Sequence, residues 1–575
     1  CATVICSDKT GTLTRNEMTV TRLWLAGRHV AVTGTGYTPE GEFRAGDVRL
    51  DPSREPDLSL ALRIAATCNH ARLQRAPDGT GWQALGDPTE VALVVAAAKA
   101  GITPARRNIV GELPFDGVRK RMSVLLREGE RFVLMTKGAP EVLLPRCETW
   151  RRDGRVEPLR HEDRRAILAA MEEMARQALR VLAVAYAEKP PGPVPPQLDE
   201  GWERGLVFVG LIGMIDPPRP EARAALRKAQ QAGVRTVVIT GDHRDTAAAI
   251  ARELGIVREL SEVATGAELD QWSAAELEEA VRRVHVFARV SPEHKLRIVQ
   301  ALKRQGEVVA MTGDGVNDAP ALKEADIGVA MGLTGTDVTR DAADMVLADD
   351  NYATIVAAIE EGRGIYDNIR RFIRYLLGCN VGEVLTMFGA ALAALPLPLS
   401  PLQILWINLV TDGLPAIALG LTQPDDDIMR RPPRSPKEGV FSRGLHLKVL
   451  GRGLLIAAST LAVFILALQD PRADEVRART LAFTTLVLTQ LVYAFQCQSE
   501  HHSVFEVGLR RNPRLVAAAG TSLGMHLAVL YVPLLQPVFG VVPLDGADWL
   551  LVALFSTWHL ILEALLRAGV RALPR

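Results

Sequence analysis

A chain of 575 residues with 48% hydrophobic content is too long for one domain, and its length suggests about three or four. Its 67 basic and 67 acidic side chains cancel, which argues against a nucleic-acid binder. Six cysteines without a C-x-x-C pair point to neither a disulfide framework nor a zinc site.

The first element is the apolar, β-branched run Ala2-Thr3-Val4-Ile5-Cys6, which reads as a buried parallel strand with no signal pattern before it. It runs into Ser7-Asp8-Lys9-Thr10-Gly11-Thr12-Leu13-Thr14. An aspartate at the C-terminal end of such a strand stands where open α/β sheets bind ligands. Gly11 and the threonines form a tight polar turn whose backbone N–H groups can hold phosphate oxygens. A carboxylate held there can attack a phosphoryl group and become an aspartyl phosphate.

Residues 15–205 are polar, carry short strand and helix signals, and end in the connector Lys189-Pro190-Pro191-Gly192-Pro193. They separate the first strand from the rest of its sheet. Beyond them the apolar run Leu206 to Ile215 leads to Asp216-Pro217-Pro218-Arg219. Thr236 to Ile239 leads to Thr240-Gly241-Asp242, and Val308 to Met311 to Thr312-Gly313-Asp314-Gly315-Val316-Asn317-Asp318. Three strand-end aspartates on one sheet are expected to converge on one site. Between the last two strands, Ser291-Pro292-Glu293-His294-Lys295 opens a helical pattern, which fits a βαβ alternation.

These motifs, in this order, resemble P-type ATPases and, through them, the haloacid-dehalogenase-like phosphoryl-transfer sheet. The resemblance makes Asp8 the nucleophile. Asp314 would hold Mg²⁺ through hard oxygen ligands, with the Thr10 carbonyl, Asp8 and Asp318 beside it. Lys295 would neutralise the transferred phosphoryl group, Thr240 and Asn317 would donate hydrogen bonds to it, and Asp242 completes the catalytic set. Soluble phosphatases related to this family carry a second Asp where Thr10 stands, so the phosphoenzyme is expected to persist. In the inserted stretch, Gly86-Asp87-Pro88-Thr89-Glu90, Phe115 to Val124, Lys137-Gly138-Ala139-Pro140-Glu141 and Leu179-Arg180-Val181-Leu182 resemble the nucleotide-domain motifs. They imply an ATP site with Phe115 stacked on the adenine, Lys120 and Lys137 lining the pocket, Glu90 at the base and Arg180 at the phosphates. Arg119-Lys120-Arg121 support binding there, while Gly117 departs from the Arg that calcium pumps often carry. Thr10 and Gly241 join the nucleotide contacts.

From about residue 366 the composition turns apolar. Stretches at about 372–395, 400–421, 446–468, 480–498, 514–535 and 547–567 each approach the ~20 residues that span a bilayer. The loop with Arg430, Arg431, Arg434 and Lys437, the loop with Arg510, Arg511 and Arg514, and the tail with Arg567, Arg571 and Arg575 place one side in the cytoplasm. Arg472, Arg477 and Arg479, mixed with acids, lie in the opposite loop. Polar residues inside spans mark ion pathways. Asn380 and Glu383 share a helix face, as do Asn408, Thr411 and Asp412. Gly413 and Pro415 loosen the second helix and free carbonyls beside Asp412. This oxygen-rich set suits a hard cation such as Ca²⁺, whereas a soft metal calls for sulfur, and Cys379 is a lone thiol. The two helices look like the ion-binding pair of calcium-type P-type ATPases, which makes Asn380, Glu383, Asn408, Thr411 and Asp412 ligands, with Gln490 where two-site calcium pumps carry Glu. One Ca²⁺ per cycle, or Mn²⁺, is implied.

The expected fold is an α/β haloacid-dehalogenase-like, Rossmann-like phosphorylation domain (1–14 and 206–350) with an inserted α+β nucleotide-binding domain (15–205). An all-α region of six transmembrane helices follows (351–575). The expected protein is a multi-pass ATP-driven calcium-type pump of the plasma membrane with ATP and Mg²⁺ as cofactors and its catalytic domains cytoplasmic. The family's actuator Thr-Gly-Glu and its membrane Pro-Glu-Gly-Leu-Pro do not occur, so an actuator and early helices are expected to be missing and nucleotide binding without a full cycle is implied. The alternatives are a membrane-anchored aspartyl-phosphate phosphatase, a pump for Na⁺, K⁺ or Mg²⁺, and a scaffolding pseudo-pump.

Overall fold

A computed structural model describes residues 2–75, 81–190, 198–442, 444–470, 474–499, 504–508 and 511–572. Two compact units emerge, Ala2–Val356 and the chain from Ala357 onward. Of the sequence features above, Pro191, Gly192, Pro193, Arg472, Arg510 and Arg575 lie outside the described residues, as do the side chains of Arg567 and Arg571.

The first unit holds a seven-stranded parallel sheet and an eleven-stranded, mostly antiparallel one. The parallel sheet runs Val263–Thr265, Val286–Ala288, Arg235–Thr240, Val4–Asp8, Val309–Gly313, Ile327–Met331, Met345–Leu347. Val4–Asp8 is central because its Val4, Ile5 and Cys6 are fully buried, as a parallel strand covered on both faces requires. Each such aliphatic side chain contributes about 1.5–3 kcal/mol by leaving water. The order also puts the C-terminal ends of Val4–Asp8, Arg235–Thr240 and Val309–Gly313 side by side, with Asp8 in register with Ile239.

Leu206–Ile215 does not join that sheet. It pairs antiparallel with Arg180–Lys189 and Thr19–Leu25 in the larger one. Asp216 therefore does not converge with the strand-end aspartates, and the expected boundary at 205/206 is not where the sheets part. An apolar run is buried equally well in either sheet, and here the neighbouring Arg180–Lys189 supplies its pairing partner. Asp216 instead closes the junction, accepting from Thr14 Oγ1 at 2.5 Å and from the Glu17 N–H at 3.2 Å. Burial first, offset in part by that Thr14 bond, raises its pKa.

Arg121, which opens strand Arg121–Glu128 of the larger sheet, forms a buried ion pair at 2.6 Å with Glu203 of the short turn Glu200–Glu203. Glu203 also accepts from Arg119 at 3.1 Å and from Ser123 Oγ at 2.7 Å. Removing one partner of such a pair leaves an uncompensated buried charge. Glu203→Ala is therefore expected to lower stability by about 3–5 kcal/mol, measured by denaturant unfolding.

Asp350 ties off the parallel sheet by accepting from the N–H groups of Gly332, Leu333 and Thr334 at 2.6, 3.1 and 2.9 Å. Burial opposes its charge, but these bonds and the Thr334 hydroxyl outweigh it and hold its pKa below the usual value. A depressed carboxylate pKa contributes stability above the unfolded pKa and loses it as pH falls through the folded one. Asp350→Asn is expected to cost about 1.5–3 kcal/mol at neutral pH, and the difference from wild type should shrink below about pH 4.

The second unit is helical. Four helices among the described residues are long and apolar enough to cross a membrane, Tyr352–Leu392, Pro401–Gly420, Leu445–Gln469 and Glu475–Gln496. Helices Pro513–Tyr531 and Gly546–Ala572 stand at the fifth and sixth expected places but are not among those four. Asp425, 3% exposed, draws in Arg371, Arg431 and Arg511 at 3.0–3.3 Å, so part of the basic charge of the loops is neutralised within the fold.

Candidate functional site

The turn after Val4–Asp8 needs Gly11, whose φ of +77° lies in the left-handed region. Arg219 clamps it by donating to the Gly11 and Thr14 carbonyls at 3.1 and 3.3 Å. The Asp8 N–H donates to Thr312 Oγ1 at 2.9 Å, and its Oδ1 accepts from the Thr10 N–H at 3.4 Å. Lys295 lies on Pro292–Arg304, a helix capped by Ser291. Its ammonium bridges Asp8 Oδ2 and Asp318 Oδ1, both at 2.8 Å.

Asp8, Asp314 and Asp318 each offer an oxygen, and these lie within 4.8 Å of one another. Gly313 permits this, because a Cβ there would sit 2.5 Å from Asp318 Cβ. The Asp318 Oδ2 accepts from the Asp314 and Gly315 N–H groups at 3.3 and 3.2 Å. Burial first, then the charges of Asp8 and Asp318, raise the Asp314 pKa. Burial pulls Lys295 down, but Asp8 and Asp318 outweigh it and leave the ammonium at about 12. Two of the three carboxylates thus share one ammonium with Asp314 beside them, and an all-oxygen set of this kind fits a Mg²⁺ ion.

Thr240 is buried, and its Oγ1 accepts from the Asp242 N–H at 3.2 Å. The Asp242 carboxylate is held by Lys9 at 2.6 Å. Thr10 is half-buried, while Gly241 and Asn317 are exposed at the edge of the site.

A cavity of about 310 Å³ in the larger sheet's half is lined by His70, Thr89, Glu90, Phe115, Lys137 and Arg180, among others. Phe115 is 63% exposed, an open ring face rather than a core side chain. Lys137 pairs with Glu90 at 2.6 Å, and Arg180 donates to Thr89 Oγ1 at 3.0 Å. Gly138 lines the cavity, and a Cβ there would meet the Lys120 carbonyl at 2.8 Å and Arg121 Cβ at 2.6 Å, so the position has no room for a side chain. Lys120 is not in the lining; it faces Glu141 at 3.7 Å. Arg119 and Arg121, read above as support for binding, are spent on Glu203.

In the second unit, Glu383 accepts from Asn408 Nδ2 at 2.8 Å and Gln490 Nε2 at 2.9 Å. Asp412 accepts from the Tyr375 hydroxyl at 3.0 Å. The second helix widens into a π-turn over Ile407–Thr411, where the Asp412 N–H reaches the Ile407 carbonyl at 2.9 Å, so the carbonyls expected to be freed there keep partners. Ser522 donates to the Val410 and Thr411 carbonyls at 3.3 and 3.5 Å. Thr411 is buried with its hydroxyl turned back to the Ile407 carbonyl at 3.0 Å. Asn380 is exposed while Glu383 is 5% exposed, so the two do not share a buried face. Three residues leave about 60° between their directions on an α-helix, enough to part them here.

Three family descriptions match in chain order. Residues 57–221 match "P-type ATPase, cytoplasmic domain N", residues 192–326 "haloacid dehalogenase-like hydrolase", and residues 396–568 "Cation transporting ATPase, C-terminus". The chain belongs to the P-type ATPases. It is 48% identical over 557 residues to the "Calcium-transporting ATPase" of Bacillus subtilis, covering 96% of this chain and 62% of that relative. It is 42% identical over 584 residues to "Calcium-transporting ATPase 1" of Bacillus cereus (98% and 63%). With "Calcium-transporting ATPase type 2C member 1" of Bos taurus it shares 39% over 572 residues (98% and 58%). The chain spans less than two thirds of the length of these relatives. This P-type ATPase is a membrane protein with a haloacid-dehalogenase-like domain.

Several contacts of this P-type ATPase escaped the sequence reading. Lys9 and Thr312 stand inside quoted motifs, yet only the sheet register shows that one neutralises Asp242 and the other anchors the Asp8 backbone. His70 reaches the Phe115 cavity from a separate loop, and nothing in its local sequence marks it.

Proposed function

We propose that this protein moves a divalent cation, Ca²⁺ foremost and Mn²⁺ next, across the cell membrane, driven by ATP through an aspartyl phosphate on Asp8, with its catalytic residues cytoplasmic. The observation that carries the reading is Lys295 bridging Asp8 and Asp318 beside Asp314, in one chain with the buried Glu383 and Asp412. Relatives named as calcium-transporting ATPases support Ca²⁺ as the cargo.

The cavity at Phe115 holds the nucleotide, with the ring against the base and Lys137 and Arg180 toward its polar part. An Asp8 carboxylate oxygen forms a bond to the γ-phosphorus as the bond to the β,γ-bridging oxygen breaks and ADP leaves. Lys295 holds the Asp8 carboxylate in place at 2.8 Å and faces the charge that spreads over the phosphoryl oxygens. A Mg²⁺ held by Asp8, Asp314 and Asp318 would neutralise charge on those same oxygens. Thr10 cannot act as acid or base toward water, so the phosphoenzyme outlasts its formation. Glu383, Asp412, Asn408 and Gln490 are the proposed cargo ligands, and six spans are proposed for the membrane region.

Acid-stable labelling by radioactive ATP across Ca²⁺, Mn²⁺, Na⁺, K⁺ and Mg²⁺ alone tests this. Labelling that requires micromolar-range Ca²⁺ or Mn²⁺ is expected. Labelling with Mg²⁺-ATP alone, indifferent to the others, would point to a different cargo or to the phosphatase alternative.

A further inference from the structure

The two helices that carry the proposed cargo ligands run side by side, and their hydrogen bonds fix which residues face each other. Asp412 meets Tyr375, and Asn408 meets Glu383. Cys379 stands midway between Tyr375 and Glu383, one turn from each on the same helix face. It must therefore face the stretch between Asn408 and Asp412. Its thiol lies beside the Asp412 carboxylate and is fully buried.

Two further atoms point to an occupant. Asp412 is 1% exposed and its Oδ2 accepts no hydrogen bond; Gln490 is fully buried and its Oε1 accepts none either. A buried acceptor left without a partner carries a desolvation penalty that a bound cation removes. Cys379 thus sits beside a carboxylate that has an oxygen to spare, rather than alone in an apolar core.

We propose that Cys379 adds a sulfur donor to the cargo site, so that the site also takes thiophilic divalent cations such as Cd²⁺ and Zn²⁺. This rests on the reading above that Asp412 and Glu383 face the cargo. Oxygen ligands alone favour hard cations, whereas a sulfur among them raises affinity for softer ones with little gain for Ca²⁺. A thiol was set aside in the sequence because no second cysteine neighbours it in the chain. The fold supplies the partner from the facing helix instead, and it is a carboxylate.

The test is Cd²⁺ titration of the purified full chain in detergent, followed by the ultraviolet sulfur-to-cadmium charge-transfer band and by equilibrium binding against Ca²⁺. Wild type is expected to show the band and to lose it in both Cys379→Ser and Cys379→Ala. The ratio of Cd²⁺ to Ca²⁺ affinity should fall by about tenfold or more in both variants. Asp412→Asn should weaken Cd²⁺ binding as well, since sulfur and carboxylate hold one ion. A band that survives both cysteine variants, or Cd²⁺ binding unaffected by Asp412→Asn, would overturn the proposal. A Cd²⁺ band that needs both Cys379 and Asp412, with no Ca²⁺ binding at all, would support it while removing the Ca²⁺ reading.

Discussion

Lys295→Ala is expected to slow phosphorylation by ATP on the order of 10²–10³-fold, the loss seen when one preorganised charge-stabilising donor is removed. The effect should be large because its ammonium is the shared counter-charge of Asp8 and Asp318, at 2.8 Å from each. Without it, three carboxylates face one another in a half-buried site, and the γ-phosphoryl group meets more negative charge on approach. Lys295→Arg should not restore the rate, because a planar guanidinium does not fit where a compact ammonium is buried between two oxygens. Nucleotide binding at the Phe115 cavity should be retained, since its lining does not include Lys295. Stopped-flow or quenched-flow phosphorylation measures the first effect, and fluorescent-nucleotide titration the second.

Asp412→Asn is expected to weaken the apparent affinity for the activating cation by at least ~100-fold, measured as the Ca²⁺ concentration that half-saturates phosphorylation. Loss of a residue that merely orients a ligand costs about 10–100-fold, so loss of a ligand charge sets a higher floor. Asparagine keeps an oxygen for the Tyr375 hydroxyl, so the contact between the two helices survives and the loss is one of charge. Phosphorylation at saturating cation should recover toward wild type, which separates a binding defect from a folding defect. An Asp412→Asn protein with unchanged Ca²⁺ dependence would remove this residue from the cargo site.

Much of this was legible in the sequence, for a definite reason. Asp8 and Asp314 follow short buried strands that are neighbours in one parallel sheet, and the C-terminal ends of such strands are where ligands bind. Thr411 to Pro415 also announced their own irregularity, because Gly413 and a proline without an N–H break the helical ladder locally. What failed depended on pairing between distant segments. Leu206–Ile215 is equally apolar for either sheet, and only its neighbour at Arg180–Lys189 decides between them. Arg119 and Arg121 look like phosphate binders beside Phe115, yet Glu203, more than 80 residues away, takes both. Asn380 kept the right spacing from Glu383 and still lies exposed, since three residues do not return a helix to the same direction. Cys379 was dismissed from its chain neighbours and acquired meaning from the helix opposite.

The central claim is that Asp8 becomes phosphorylated by ATP and that a cargo cation governs it. The most direct measurement is mass-spectrometric location of the acid-stable, hydroxylamine-labile phosphate after brief exposure to Mg²⁺-ATP with and without Ca²⁺. The account predicts phosphate on Asp8, dependent on Ca²⁺ or another divalent cation besides Mg²⁺, and none in Asp8→Asn. Phosphate on another residue, or label that persists in Asp8→Asn, would contradict it.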